Sequence, residues 1–105
     1  MFMLSGLVGA AVGEPLEDAI TAYASGDYAA AMRIVRPLAD QGNAGAQAMV
    51  GRMYDKGLGV PENFAEALKW FRKAADQGNA TAESLLGDMY YSGHGVTQNY
   101  TETFK

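Results

Sequence analysis

The chain of 105 residues has no cysteine, one histidine and three prolines. Without thiols there is no disulfide framework and no thiolate metal site. A lone histidine, His94, cannot build a histidine metal cluster or a Cys/His dyad. Redox compartment stays open, because a cysteine-free chain is stable in either environment. Basic residues are also few, eight Lys and Arg against twelve Asp and Glu, for a net charge of -4. They are scattered rather than clustered, which argues against nucleic acid as a partner, since phosphate binding needs grouped cations to release counterions. The apolar run Phe2–Val12 is 11 residues long, too short for stable membrane insertion, which takes about 20.

Ordinary globular composition remains, 49% hydrophobic and 19% charged, enough to exclude disorder and to allow one domain at most. Thirteen glycines against three prolines point to repeated tight turns and helix ends rather than a flexible linker. Residues 1–13 read as a signal peptide or a hydrophobic N-terminus. The apolar core has signal-peptide length, and Ala11-Val12-Gly13 is a small-x-small cleavage site, although no Lys or Arg precedes the run. A cleaved signal implies a periplasmic or secreted protein; an uncleaved, packed N-terminus implies a cytoplasmic one. With no cysteine in the run, a lipoprotein anchor is excluded.

The dominant feature is a repeat. The stretch Ala-Asp-Gln-Gly-Asn-Ala begins at Ala39 and again at Ala75, and 16 of the 31 positions from 39–69 are identical 36 residues later. A fixed period of this length marks a solenoid, whose units bury their apolar faces only against their neighbours.

Within the period the spacing is helical. Leu16, Ala19, Ile20 and Tyr23 fall on one face of a first helix, and Ser25-Gly26-Asp27 breaks it, with Asp27 suited to cap the next. Tyr28, Ala31, Met32, Val35, Leu38 and Ala39 form a second stripe, which Pro37 should weaken or kink. Gly42 suits the left-handed residue that ends a helix, and Asn43 the cap of a third, about Ala44 to Lys56, with Ala46, Val50, Met53 and Tyr54 inward and Gly51 at a close approach. A shaped loop through Gly57, Gly59 and Pro61 leads to Asn63, which with Glu66 fits a capping box. The following helix, to about Gln77, should bury Phe64, Ala67, Leu68, Phe71 and Ala74 or Ala75 and expose Glu66, Lys69, Arg72 and Lys73. The cycle restarts at Gly78-Asn79, with a helix from Ala80 to Ser92, a loop from Gly93 to Val96, and a cap at Asn99. By register Lys105 falls inside a second helix half as long as its twin, which reads as a truncated unit of a longer array.

The pattern A-x-A-[QE]-x-x-[VL]-G-x-x-Y-x-x-G-x-G-V-x-x-N-x-x-E resembles the Sel-1-like repeat (SLR) family, a relative of the tetratricopeptide repeat (TPR). The resemblance covers residues 43–78 as one complete unit and 79–105 as a truncated second. Its repeat-defining residues are Gly42, Gly51, Tyr54, Gly57, Gly59, Asn63, Ala67, Trp70, Gly78, Gly87, Tyr90, Gly93, Gly95 and Asn99. Residues 14–42 resemble a TPR-like helical pair without the glycine-rich loop. The resemblance implies an all-α fold of antiparallel helix pairs stacked as a right-handed α-solenoid, with first helices lining a concave face. It also implies a non-catalytic adaptor or scaffold that binds a protein or peptide, as in bacterial and eukaryotic signalling, secretion and membrane-associated assembly.

No residue set suggests chemistry or a cofactor. His94 takes the loop slot filled by Leu58 in the previous unit. Glu14, Glu17 and Asp18 suit the positive end of a helix dipole. Ser5, Ser25, Ser84 and Ser92 lack a G-x-S-x-G setting, and Gly57-x-Gly59 has neither the strand nor the lysine of a phosphate loop. Asn79-Ala80-Thr81 and Asn99-Tyr100-Thr101 fit the glycosylation triplet, but helix capping accounts for both asparagines. Some secreted, cysteine-rich SLR proteins are linked to penicillin binding or beta-lactam hydrolysis, a second reading that the absence of cysteine disfavours. Arg52, Tyr91 and Trp70 are the expected partner contacts, the two aromatics because partly exposed Trp and Tyr often anchor interfaces.

Overall fold

The computed structural model describes residues 14–93; the expected signal segment, His94, Gly95, Asn99 and the start of a last helix lie outside them. Five α-helices follow one another: α1 (Glu14–Ala24), α2 (Tyr28–Asp40), α3 (Ala44–Lys56), α4 (Phe64–Ala75) and α5 (Ala80–Ser92). Among the described residues there is no strand, and close packing runs between consecutive helices. This is an all-α helical repeat solenoid.

Three of the four connections are built the same way. Helix α2 ends with Gly42 at φ +99°, its N–H donating to the Ala39 carbonyl at 3.0 Å while the Asn43 N–H donates to the Leu38 carbonyl at 3.1 Å. Helix α4 ends identically on Gly78 and Asn79, and α1 on Gly26 and Asp27. The residue whose amide closes one helix then opens the next: Asn43, Asn79 and Asp27 accept through their side chains from Ala46, Ala82 and Ala30 at 2.8, 2.8 and 3.2 Å. One side chain and one backbone amide thus satisfy orphan groups on two helices at once. Replacing Asn43 by alanine deletes the side-chain acceptor and spares the amide. It should cost about 1 kcal/mol, and Asn43→Asp should not; urea denaturation of the pair checks both.

The α3–α4 connection differs because a loop must cross between repeat halves. Gly57 caps α3 in the left-handed region at φ +69°, and the Asn63 N–H donates back to the Tyr54 carbonyl at 2.8 Å. Gly59, at φ +75°, passes so near α2 that a Cβ there would lie 2.8 Å from the Tyr28 carbonyl oxygen. Asn63 accepts from the Glu66 amide at 3.0 Å. The expected capping box is only half formed, because the Asn63 amide is engaged by Tyr54 and the Glu66 carboxylate turns to the indole of Trp70. Helix α2 runs unbroken through Pro37, and α4 ends at Ala75, two residues short of the expected Gln77.

The core is staggered across the units. Ala19, Ala31, Val35, Ala39, Ala46, Val50 and Met53 fill the space between α1, α2 and α3. A seam of small residues, Ala48, Ala74 and Ala82, lets α3, α4 and α5 approach closely. Phe71 then joins Ala67 of its own helix to Met89 of α5. At Gly51 a Cβ would come within 2.6 Å of the Phe71 ring and 3.2 Å of the Ala67 carbonyl oxygen, so the close approach expected from the sequence is real.

Candidate interaction surface

Function in a repeat solenoid rests on what its helix faces leave uncovered. Two large hydrophobic side chains are exposed among the described residues, Ile20 of α1 at 50% and Tyr91 of α5 at 55%. Both belong to first helices of their pairs. Ile20 had been expected inward; instead Ala19 takes the buried position against α2 and α3, and Ile20 turns outward.

Between these two side chains runs a chain of hollows across α1, α3 and α5. The first, about 240 Å³, is lined by Ile20, Tyr23, Ala48, Met49, Arg52 and Thr81 among others. The second, about 360 Å³, shares Arg52 and Thr81 with it and adds Ser84 and Leu85. The third, about 350 Å³, shares Leu85 and reaches Tyr91 by way of Asp88 and Met89. Shared walls make the three a continuous strip along the first helices. Arg52 and Tyr91, both expected as partner contacts, lie on it.

Arg52 sits where two hollows meet, partly buried. Among the described residues its guanidinium makes no hydrogen bond or ion pair. By contrast Arg36, on α2, bonds Asp40 at 3.2 Å, and that hydrogen bond raises its pKa further above an already high value.

Trp70 is placed differently from expectation. It is only 3% exposed, packed into the α1–α2–α3 core, with its indole N–H donating to Glu66 at 3.2 Å. Arg36, Lys69 and Lys73 stand 5.1, 5.3 and 4.8 Å from its ring centre. Trp70 is therefore a buried joint between α4 and the preceding unit, capped by cations whose attraction to an indole is worth about 0.5–1 kcal/mol each at exposed sites. Glu66, expected outside, is partly buried because it serves that indole and Lys69 together. Tyr90 is also buried, its hydroxyl accepting from Arg72.

One buried polar residue escaped the sequence reading. Gln47 is 5% exposed; its amide donates to the Ala39 carbonyl at 3.2 Å and accepts from the Gln77 amide at 2.8 Å. This relay ties the ends of α2 and α4 to the start of α3. The only hint in the sequence is the Gln or Glu slot of the repeat pattern, which looks like a surface position.

Among the described residues no group of three or more His, Cys, Asp or Glu is placed to hold a metal ion, and no helix is long and apolar enough to cross a membrane. What the fold and this face define is a helical repeat protein with an open strip along its first helices. The Sel1 repeat family matches residues 44–79 and 80–105, more than half of the sequence, and the chain belongs to that family. Among solved structures it is similar to a Sel1 repeat protein from Oxalobacter formigenes, at 37% identity and a TM-score of 0.80, over 87% of this chain and 36% of that one. It is also similar to a protective antigen with an SLR fold present in uropathogenic Escherichia coli strains, at 38% identity and a TM-score of 0.73, over 85% of this chain and 20% of that one. The chain thus spans well under half the length of either protein. No curated protein matches. Sel1 repeat proteins are generally protein-interaction modules.

Proposed function

We propose that this chain is a non-catalytic adaptor or scaffold segment that holds a protein or peptide along the first-helix face, from Ile20 to Tyr91. The observation that carries the reading is the placement of both exposed large hydrophobics at opposite ends of one line of connected hollows. Apolar side chains left in water on a soluble repeat face are available area for an interface, and aromatic residues are efficient anchors. The second-helix side supports the same choice, since its largest aromatic, Trp70, is already consumed by the fold.

Photocrosslinking side chains introduced at Met49 and Thr81 should give discrete protein adducts in cells that make the protein. The same groups at Arg33 and Asp76, off the strip, should not. Adducts of equal yield from both sets, or from neither, would remove the reading.

A further inference from the structure

Arg52 is the feature of the strip that its apolar lining does not explain. The first hollow contains no other charged residue. Helices α1 and α5 carry no Lys or Arg at all, and the other cation of α3, Lys56, is exposed near the end of its helix. Among the described residues no carboxylate lies within ion-pair distance of Arg52, so its guanidinium is open to an incoming anion. Its planar fork of donors suits a carboxylate held by two parallel hydrogen bonds.

Resting on the proposed binding face, we infer that the strip selects an extended peptide segment in which a single Asp or Glu, seated on Arg52, is flanked by apolar side chains. The flanking residues occupy the hollow of Ile20, Tyr23 and Met49 on one side and that of Leu85 on the other. The acidic group comes from a side chain rather than a chain terminus, because hollows continue on both sides of Arg52 and the segment runs past it. It is one carboxylate and not an acidic tract. The protein carries a net charge of -4, and Glu17 and Asp18 of α1, Asp55 of α3, and Glu83 and Asp88 of α5 stand on the same three helices, so further negative charge is repelled.

The test is selection of random heptapeptides displayed on phage against the full chain and against Arg52→Met, which keeps an unbranched apolar stem and removes the charge. Peptides enriched on the wild type should share one acidic residue beside aliphatic or aromatic ones, and that acid should be absent from peptides enriched on Arg52→Met. In a resynthesised peptide, changing the acid to its amide should weaken binding at least about tenfold on the wild type, the scale of a lost charge-assisted pair. On Arg52→Met the same change should cost under about twofold. Enriched peptides without an acid, or an equal loss on both proteins, would overturn the role of Arg52. The binding face would still stand if Met49→Glu abolished their capture. Enrichment of no peptide on either protein would overturn both.

Discussion

Truncation of Phe71 to alanine is expected to cost about 3–5 kcal/mol, the range for emptying a fully enclosed aromatic site. Phe71 has no exposed surface and bridges α4 to α5 through Met89, with Tyr54, Phe64, Leu68, Leu85 and Leu86 around it. For a domain whose whole stability is about 5–15 kcal/mol, such a loss approaches unfolding. The linear architecture predicts more than a lower midpoint. The α1–α2–α3 core with Trp70 does not include Phe71, and nearest-neighbour coupling confines the damage to the units that lose contacts. Amide exchange in α5 should therefore become nearly unprotected while α2 keeps most of its protection. A cost below about 1 kcal/mol, or an equal loss of protection in all five helices, would show that the packing is not as described.

Two glycines of α3 should respond to alanine with opposite signs. Each substitution gains helix propensity, about 1 kcal/mol at Gly51 in the helix interior and less at Gly45 in the first turn. At Gly51 the added Cβ would lie 2.6 Å from two carbons of the enclosed Phe71 ring. Neither the ring nor the Ala67 carbonyl behind it has room to yield, and overpacking of this kind costs about 1–3 kcal/mol or more. The clash wins, and Gly51→Ala should be destabilised by up to about 2 kcal/mol net. At Gly45 the new atom would rest 3.4 Å from Leu16 and from the Asn43 side chain, close to an ordinary contact. Gly45→Ala should be neutral or stabilised by less than about 1 kcal/mol. Urea midpoints of the two variants, measured side by side, decide it; equal shifts, or a reversed order, would refute the account.

Much of this was legible because a repeat states its own punctuation. The doubled Gln-Gly-Asn marked the joints, helical spacing placed the stripes, and Gly51 stood out as a small residue on an inner face. What stayed illegible comes from a property of solenoids that one-helix periodicity misses. A helix in a stack has two buried sides, one towards its pair mate and one towards the neighbouring unit. The stripe of Phe64, Ala67, Leu68, Phe71 and Ala74 describes one side of α4, so Trp70, lying off it, looked partly exposed although it serves the other side. Ile20 is the converse case, grouped with Ala19 by spacing but turned outward while Ala19 alone enters the core. Glu66 was expected outside because a charge reads as surface until its specific donor is seen, and the amide of Gln47 gives no sign of burial for the same reason.

The shared residue at each joint also constrains how a gene for such a chain can change length. Asn43 closes one helix through its amide and opens the next through its side chain, leaving no spacer residue between them. Deletion or insertion of a single codon there would shift the left-handed glycine, the closing amide and the opening cap out of place together, injuring two helices in one event. Removal or duplication of 36 codons, the distance from Asn43 to Asn79, restores every joint to the same environment. Inherited variation in length should therefore come in whole units.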